Sequence, residues 1–359
     1  MTVIVHLAAA LARRDHQIDV WQLHDWSSEA HAEQRRRLET AGVNQIHLHP
    51  ARRLGRDAAR LAQERGIDVV HLHGAFNPSN TAISRTLGCS YVFSPHSGYD
   101  PVSLRRHRGR KYIYRTLFER AMLERAALLV ALTNVELEQI RAFGASDPGI
   151  VIPNGVEASP GDLDEGPFRQ ELQIPGEAPL AVFVGRLDVY RKGLDVLVRA
   201  IADASAWHLA LVGPRFRGVE GLERIIARLD VGERVHLVGE RYGRPLLQSL
   251  RAADLFALMS RWEGMPMALL EALSLGRPAV VSPAVEELIG IGAAGAGWVA
   301  DEESLGSVLR HLQGEGRDEL ARRGRAALLL SRRYDWDSVA RRYEAAYERA
   351  RDRRHLVIP

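Results

Sequence analysis

Cysteine, long apolar runs and excess charge are what this sequence has least of. Cys89 is the only cysteine in 359 residues, which excludes a disulfide framework and a thiolate zinc site and suits a reducing cytoplasm. No apolar run approaches the roughly 18 residues that a membrane-spanning helix needs. The net charge is +3, so the composition as a whole does not indicate a nucleic-acid partner.

The N-terminal segment, residues 1–16, differs from a signal peptide in two ways. It has no positively charged region before its apolar run, and His6 lies inside that run. Its pattern, followed by the pair Arg13 and Arg14, predicts an amphipathic helix instead. We therefore expect a cytoplasmic protein.

Short β-rich runs alternate with helical patterns in two series along the chain. The first series has strands predicted at 17–23, 44–48, 68–73, 91–94 and 128–132. The second has strands predicted at 180–184, 209–212, 235–238, 255–258 and 279–281. This alternation is typical of an α/β protein with parallel, doubly wound sheets.

The two series predict two Rossmann-like domains, which the chain is long enough to form with separate cores. We place the first domain at 1–160 and the second at 161–335. Residues 154–179 contain four prolines and several acidic residues, which is typical of a linker. A charged helix at about 336–359 is expected to pack back on the first domain.

The segment 260–282, SRWEGMPMALLEALSLGRPAVVS, predicts an anion-binding helix. Pro266 lies where the helix would begin, and Gly276 lies just past its end with Pro278 beyond it. The helix N-terminus presents backbone N–H groups and a positive dipole end, which suit a diphosphate. Gly264 would let the backbone approach that ligand closely.

Two glutamates, Glu263 and Glu271, flank the start of this predicted helix. Glu263 follows the strand predicted at 255–258, and ligands of open α/β sheets bind at such carboxyl ends. Glu271 lies among apolar helix residues, where a carboxylate is costly without a partner. One carboxylate could accept hydrogen bonds from sugar hydroxyls and the other from a ribose. In the alternative interpretation, Glu263 only complements the helix dipole and Glu271 is a surface residue.

Two cations follow the strand predicted at 180–184. Gly185 ends the strand, Arg186 comes next, and Lys192 lies after a short loop. Arginine as a planar fork and lysine as a point charge can neutralise a leaving diphosphate without a metal. The alternative is a solvated basic loop.

These motifs together resemble those of the family 4 glycosyltransferases, which have the GT-B fold. Glu263 and Glu271 are similar to the family's E-x7-E pair, within E-G-x-P-x-x-x-x-E-A and before a G-x-P. The family's G-R-L…K-G element, I-P-N-G-V linker and C-terminal crossover are similar to residues 185–193, 152–156 and 334–336. The resemblance covers nearly the whole chain and implies two Rossmann-like domains that face each other across a cleft.

The resemblance also implies roles for the residues of the donor half. Arg186 and Lys192, after Gly185, would hold the donor diphosphate, and Glu271 would bind the ribose. Glu263 would hold the transferred sugar, together with the backbone of Gly264, Met265 and Pro266. The base would be bound near Val238 and Arg241, at another strand end. No metal or other cofactor is expected, because Arg186 and Lys192 would neutralise the diphosphate. The nucleoside diphosphate sugar is a co-substrate.

The segment 94–101, SPHSGYDP, resembles the family's acceptor-side loop. The resemblance implies that His96 lies in the interdomain cleft near the reacting carbon, with Ser97 and Tyr99 on the acceptor side. The alternative for His96 is a buried histidine whose ring is satisfied by backbone groups.

His73 and Gly74 would lie at a strand end that faces the same cleft, again by resemblance. His71 and His73 alternate along one face of the predicted strand, which is also compatible with a metal site. We do not favour a metal there, because no carboxylate with ligand spacing accompanies the two histidines.

The sequence departs from the family pattern at its N-terminus. The family begins with a strand, a glycine-rich loop and a helix, whereas residues 2–14 already predict the first helix. The opening strand and glycine loop are therefore predicted to be missing, either because the start is misassigned or because the protein is shortened. Their loss would expose a sheet edge and remove part of the donor site.

Gly290, Gly292 and Gly295 match the pattern G-x-G-x-x-G, which in other sequences marks a dinucleotide-binding loop. The match follows a helical run and not a strand, so it predicts a loop and not a dinucleotide site.

By resemblance, the protein is a retaining, metal-independent hexosyltransferase of class EC 2.4. It would move a sugar from a nucleoside diphosphate sugar to a hydroxyl acceptor in polysaccharide, glycolipid or glycosylated-metabolite biosynthesis. Two alternatives stay open. One is a catalytically impaired sugar-nucleotide-binding protein, suggested by the missing glycine loop, and the other is a nucleotide-sugar epimerase of the same fold.

A basic stretch between Arg105 and Arg125 has two interpretations. It is either a solvated helix face or a basic amphipathic helix for an anionic membrane surface. The apolar residues available for membrane contact are Tyr112, Ile113, Leu117 and Phe118. The second interpretation predicts a peripheral location at the inner face of the membrane and a lipid-linked acceptor.

Overall fold

The computed structural model describes residues 2–23, 31–49, 53–100, 104, 108–145, 149–157, 163, 164 and 166–353. The chain divides into two compact units, one of Met1–Gly155 with Trp336–Pro359 and one of Val156–Asp335. The boundary predicted after residue 160 and the end of the predicted C-terminal helix, 354–359, lie outside the described residues.

The described strands of the first unit pair in parallel and form two sheets, with orders β1-β2 and β3-β4-β5-β6. They are β1 (Asp19–Gln22), β2 (Asn44–His47), β3 (Val69–His73), β4 (Ser90–Ser94), β5 (Leu128–Ala131) and β6 (Ile150–Val151). The helices are Thr2–Ala12, Ala32–Thr40, Leu54–Glu64, Pro78–Ser84, Arg108–Tyr114, Arg120–Arg125, Asn134–Phe143 and Trp336–Arg353.

One helical stretch runs over residues 108–125, but it is not α-helical throughout. A π-helical turn, Arg115–Glu119, separates Arg108–Tyr114 from Arg120–Arg125. The wider π turn changes the direction in which the following side chains point, and Glu119 is fully buried at its end. The periodic pattern of charges and apolar residues carries no signal for such a local widening.

The C-terminal helix, Trp336–Arg353, packs on the first unit. Trp336 and Val339 share a core cluster with Val130 of β5 and with Leu11 of the first helix. A β-carbon on Gly155 would lie 2.4 Å from the Trp336 ring, so the backbone there packs directly on the indole. This packing agrees with the expectation that the C-terminal helix folds back on the first domain.

Trp336→Ala is expected to destabilise the first unit by about 3–5 kcal/mol, because it removes a buried aromatic ring and leaves a cavity. The measurement is the urea unfolding transition of the first unit, followed by circular dichroism. Leu329→Ala is the control, because Leu329 is mostly exposed and its loss should cost at most about 0.5 kcal/mol. Equal midpoints for the two variants would contradict the packing role.

The second unit contains one parallel sheet with the order β12-β11-β10-β7-β8-β9. Its strands are β7 (Leu180–Val184), β8 (His208–Val212), β9 (Val235–Gly239), β10 (Leu255–Leu258), β11 (Ala279–Val281) and β12 (Gly297–Val299). The helices are Gly166–Glu171, Val189–Lys192, Leu194–Asp203, Val219–Arg228, Gly243–Arg251, Met267–Ser274, Pro283–Ile289 and Leu305–Ser331. The doubly wound α/β prediction is confirmed.

Part of the predicted linker is structured. Within 154–179, the helix Gly166–Glu171 is anchored by Arg169, whose guanidinium donates to the Asp254 carboxylate at 2.6 Å and to the Ala178 carbonyl at 2.9 Å. The linker prediction is therefore wrong for this part, because the anchoring residue is distant in sequence.

The glycine-rich run at 290–295 follows the helix Pro283–Ile289 and precedes β12, so the prediction of a loop is confirmed. Among the residues that the structure describes, none of the helices combines the length and the hydropathy needed to cross a membrane.

Candidate functional site

The strand order of the second sheet reverses between β7 and β10. From β7 the chain adds β8 and β9 on one side, and it then places β10, β11 and β12 on the other side. Ligands of open parallel sheets bind outside the carboxyl ends of the strands at such a switch point. Arg186 follows β7 and Glu263 follows β10, so the fold places both predicted donor residues there.

A short helical turn, Val189–Lys192, brings Lys192 to the end of β10. Asp188 caps the start of this turn, and Gly193 ends it with a φ of 63°. A β-carbon on Gly193 would lie 2.1 Å from the carbonyl oxygen of Met259, which excludes other residues. Glycine thus permits the close approach of two segments that are distant in sequence.

Glu263 is at the centre of a charged cluster. Its Oε1 accepts hydrogen bonds from the Lys192 ammonium group and, at 2.6 Å, from the Ser260 hydroxyl. Its Oε2 lies 3.7 Å from a guanidinium nitrogen of Arg191, and the side chain is 6% exposed. Glu263 is thus bound to side chains, so the alternative in which it only complements the helix dipole is wrong. The solvated-loop alternative for Lys192 is also wrong, since its ammonium group is paired.

The helix that follows, Met267–Ser274, begins one residue later than predicted. Pro266 has an extended backbone with ψ of 95° and is the N-cap, so its prediction as the first helical residue is wrong by one position. Its carbonyl accepts hydrogen bonds from the amides of Leu269 and Leu270 at 3.1 and 3.3 Å. The amides that precede Leu269 are the groups to which an anion can bind.

Arg186 and Lys192, predicted to act on one diphosphate, make different contacts. The Arg186 side chain is exposed, and its guanidinium lies 5.2 Å from the centre of the Phe216 ring. Lys192 is instead paired with Glu263. The arrangement keeps one cation accessible and holds the other against a carboxylate.

The other predicted donor residues lie near strand ends of the same sheet. Gly264 and Met265 are half-buried between Glu263 and the helix. Val238 is half-buried near the end of β9. Arg241, two residues past that strand, pairs with the Glu171 carboxylate.

Glu271 is half-buried within the helix Met267–Ser274, so it is not the surface residue of the alternative interpretation. Burial raises the pKa of Glu271 to about 7. A carboxylate in this environment is stabilised by added hydrogen-bond donors, and ribose hydroxyls are donors of that kind.

In the first unit, the neighbouring strands β3 and β4 bring the predicted acceptor-side residues together. His73 ends β3, and His96 lies two residues past the end of β4. His73 Nδ1 and His96 Nε2 share a hydrogen bond of 2.8 Å, and the Gly74 amide donates to the Ser94 carbonyl at 2.8 Å. The ring partner of His96 is therefore a side chain, and the backbone-satisfied alternative is wrong.

Burial keeps these histidine rings neutral. It lowers the pKa of His96 to about 4 and the pKa of His73 well below its usual range. In their shared hydrogen bond one ring must donate and the other accept, so the tautomer of each ring is coupled to that of the other.

His71 lies on the same strand and has other partners. Its ring nitrogens are hydrogen bonded to the Tyr347 hydroxyl and the Ser94 hydroxyl, both at 2.8 Å. Within the described ranges, no three histidine, cysteine or acidic side chains are grouped as a metal site requires. A histidine metal site is not supported by these contacts.

Ser97 and Tyr99 are each tied to a buried glutamate. The Ser97 amide donates to the Glu136 carboxylate, and the Tyr99 hydroxyl donates to Glu119 Oε1 at 2.7 Å. Tyr99 is 2% exposed and its ring stacks on Phe143 with centres 4.1 Å apart. The prediction that Tyr99 faces an acceptor is therefore corrected, because its ring belongs to the core and supports the loop.

Glu119 and Glu136 were not predicted as site residues. Thr133 and Glu136 have the spacing of a capping box, and the Glu136 amide does bond the Thr133 hydroxyl at 3.1 Å. The Glu136 carboxylate, however, binds the amides of Leu132 and Ser97. The T-x-x-E pattern could have drawn attention to Glu136, but it does not indicate a partner 39 residues away.

Profiles of two families match the chain in succession. Glycosyltransferase Family 4 matches residues 2–159, and Glycosyl transferases group 1 matches residues 178–313. The chain belongs to the family 4, group 1 glycosyltransferases. The first match lies mainly in the first unit of this glycosyltransferase family member, and the second match lies in the second unit.

Curated relatives carry related names. A D-inositol 3-phosphate glycosyltransferase of Actinosynnema mirum is 29% identical over 267 residues, covering 66% of this chain and 61% of the relative. A GDP-mannose:cellobiosyl-diphosphopolyprenol alpha-mannosyltransferase of Xanthomonas campestris is 25% identical over 295 residues, covering 80% and 75%. The chain thus spans about three fifths of the length of the first of these relatives.

Solved structures share the fold. The crystal structure of Anabaena Alr3699/HepE in complex with UDP has a TM-score of 0.75 at 19% identity, covering 97% of this chain and 95% of that one. A sucrose-phosphate synthase from Thermosynechococcus elongatus has a TM-score of 0.75 at 18% identity, covering 95% and 91%. The fold of this family member is GT-B.

Replacing Glu271 is expected to change the pH dependence of stability. Below pH 4.5 the carboxyl is protonated in both states, whereas between pH 4.5 and 7 only the unfolded state ionises it. Stability is therefore lost as the pH rises through this window, by up to about 3 kcal/mol, since one pKa unit corresponds to about 1.4 kcal/mol. Glu271→Gln removes that loss.

The thermal midpoint of Glu271→Gln should exceed that of the wild type at pH 8 and approach it at pH 4.5. Glu287→Gln is the matched control, because Glu287 is exposed on a nearby helix. A pH-independent difference for Glu271→Gln would contradict the raised pKa.

Proposed function

We propose that this protein is a retaining, metal-independent glycosyltransferase that moves a sugar from a nucleoside diphosphate sugar to a hydroxyl acceptor. The observation that carries the proposal is the cluster of Lys192, Arg191 and Glu263 at the switch point between β7 and β10. It supplies cations and a carboxylate where a parallel sheet binds ligands. The names of the relatives agree with a sugar-nucleotide donor.

Two cations and the helix start are proposed to stabilise the leaving diphosphate. Arg186 is exposed and can form a bidentate contact with a phosphate. Lys192 would exchange its Glu263 partner for the second phosphate, and the first helical amides would complete the contacts. Positive charge already present in the site would thus replace a metal.

The same exchange would prepare Glu263 for the sugar. Once Lys192 turns to the diphosphate, the carboxylate can accept hydrogen bonds from sugar hydroxyls while Arg191 stays near its Oε2. Gly264, Met265 and Pro266 would contribute backbone groups to the same sugar, and Glu271 would accept hydrogen bonds from the ribose. Val238 and Arg241 would contact the base.

On the acceptor side, His96 would act as a neutral hydrogen-bonding group. Its Nε2 is bonded to His73, so its Nδ1 is the ring atom offered to a hydroxyl of the substrates. Ser97 and Gly74 belong to the two loops beside it. A retaining reaction without an enzymic nucleophile is proposed, in which the leaving phosphate accepts the proton of the acceptor hydroxyl.

A panel of UDP-, GDP- and ADP-sugars tested by thermal shift should identify one donor that raises the melting temperature, because that donor binds only the folded state. Lys192→Ala should weaken its binding about 10- to 100-fold, the usual effect of losing a charge-assisted hydrogen bond. Arg199→Ala, an exposed change in the same unit, should bind like the wild type. No shift with any donor would refute the proposal.

Donor consumption then separates the three candidate functions. A transferase consumes donor when an acceptor is supplied, and an epimerase converts donor without an acceptor. An impaired binding protein shows a thermal shift with no turnover. Adding EDTA should leave the transfer rate unchanged, and a loss of activity restored by Mg²⁺ would contradict metal independence.

The stretch from Arg105 to Arg125 is proposed to contact an anionic membrane surface at the inner face of the membrane. Tyr112, Ile113 and Leu117 are 67%, 59% and 62% exposed. Residues 105–107 lie outside the described part of the chain, and Arg120 pairs with Glu124 at 2.8 Å. Exposed apolar side chains among cations support a lipid-linked acceptor.

Vesicle sedimentation tests this contact. Ile113→Ser with Leu117→Ser should reduce binding to phosphatidylglycerol-containing vesicles more than tenfold, because each buried aliphatic side chain contributes about 1.5–3 kcal/mol. Leu329→Ser, equally exposed in the other unit, is the control. Equal binding to anionic and neutral vesicles would contradict the proposed contact with an anionic membrane surface.

A further inference from the structure

Two loops of the first unit hold non-glycine residues in the left-handed backbone region. Phe76, in the loop after β3, has a φ of 55°, and His96 and Ser97, in the loop after β4, have φ of 50° and 61°. The β-carbon makes this conformation unfavourable, so surrounding contacts must hold it. Such residues are concentrated at functional sites.

Each of these loops donates a backbone amide to a buried glutamate. The Phe76 amide donates to Glu119 Oε1 at 2.9 Å, and the Ser97 amide donates to Glu136 Oε1. Glu119 and Glu136 are 0% and 2% exposed. A buried carboxylate is costly unless it is hydrogen bonded, and in both cases a donor is the amide of a left-handed residue.

The two glutamates use their oxygens differently. Glu136 uses both, since Oε2 accepts the Leu132 amide at 2.6 Å. Glu119 uses one, since Oε1 accepts both the Phe76 amide and the Tyr99 hydroxyl. Its Oε2 is buried and has no hydrogen-bond partner among the described residues.

The held loops carry the predicted acceptor-side groups. Ser97 follows His96 directly, and His96 is hydrogen bonded to His73. A shift of the Ser97 amide would therefore move the His96 ring and break its contact with β3. Glu136 thus holds the loop after β4 through the Ser97 amide. Glu119 holds the loop after β3, which follows Gly74, through the Phe76 amide.

We propose that Glu119 and Glu136 are positioning residues, which hold the left-handed loops so that His96 and its neighbours have the geometry needed for sugar transfer. The catalytic part of this inference rests on the proposed function. The part that concerns loop geometry can be tested without turnover.

Because the two glutamates use their oxygens differently, replacement by glutamine should be tolerated at Glu119 and disruptive at Glu136. Glu119→Gln keeps the one accepting oxygen, so the first loop should stay in place. Glu136→Gln replaces one accepting oxygen by an NH₂ group that faces an amide N–H, so one hydrogen bond is lost and two donors clash. A role that depended only on negative charge would predict equal effects.

Hydrogen–deuterium exchange measures the geometry directly. Glu136→Gln should raise the exchange rate at residues 96–99 at least tenfold, whereas Glu138→Gln, an exposed change on the same helix, should leave it unchanged. Glu136→Asp is a second variant in case the first does not fold. It keeps the charge but is too short to reach the Ser97 amide, so it should also accelerate exchange.

Kinetics with the donor identified above measure the consequence. Glu136→Gln and Glu119→Ala should lower kcat at least tenfold, with the donor Kd unchanged within twofold, because the donor residues lie in the other unit. Glu119→Gln should stay within threefold of the wild type. Adding Ser97→Gly to Glu136→Gln should recover part of kcat, since glycine adopts a φ near 61° without strain.

Unchanged exchange at residues 96–99 in both Glu136 variants would overturn the proposal, as would equal losses of kcat in Glu119→Gln and Glu136→Gln. A wild-type protein that binds donor and never turns over would defeat the proposed transferase function. The hydrogen–deuterium exchange rates would then still test, independently of turnover, whether Glu136 holds the loop after β4.

Discussion

Parallel pairing of the β-strands is the constraint on which both candidate sites depend. In a parallel sheet every strand ends at the same edge, so loops that are far apart in sequence lie side by side. This brings Lys192 to Glu263 across the ends of β7 and β10, and His73 to His96 across the ends of β3 and β4. The two residues of each pair need not be close in sequence, because the hydrogen-bond ladders of the sheets align the strand ends that carry them.

Burial, together with the partners available, then decides whether the carboxyl groups and histidines near these sheet edges are charged. Glu263 is buried beside Lys192, and the two charges compensate each other. Glu136 has two amide donors instead of a cation, and these hydrogen bonds oppose the rise in its pKa that burial causes. Glu271 has neither kind of partner among the residues that the structure describes, and burial raises its pKa to about 7. His73 and His96 of the first unit are neutral for the same reason.

The two units thus use polar groups in different ways. The second unit places opposite charges at a sheet edge, which suits a ligand that carries charge. The first unit uses buried neutral rings and buried carboxylates to hold backbone in a strained form. A strained loop needs support from several directions, and the support comes from the helix Asn134–Phe143 and from the π-helical turn Arg115–Glu119.

The sequence by itself determined the α/β class, most of the strands and the proposed donor motif, because hydrophobic period and helix-stop signals are local. The short strands β6 and β12 were not predicted. Glu263, Glu271, Arg186 and Lys192 could be selected for their chemistry and position alone. Only the tertiary structure decided what these groups contact. The pairing of Lys192 with Glu263 depends on how two distant strands align.

The same distinction explains the errors. Pro266 is the N-cap and not the first helical residue, Tyr99 is a core ring, and Arg169 anchors a segment that looked like a linker. Glu119 and Glu136 were not predicted because the loop amides that they bind, those of Phe76 and Ser97, lie 43 and 39 residues away in sequence. Composition and spacing report which groups a chain contains. Burial and long-range hydrogen bonds decide what those groups do, and both exist only once the chain has folded.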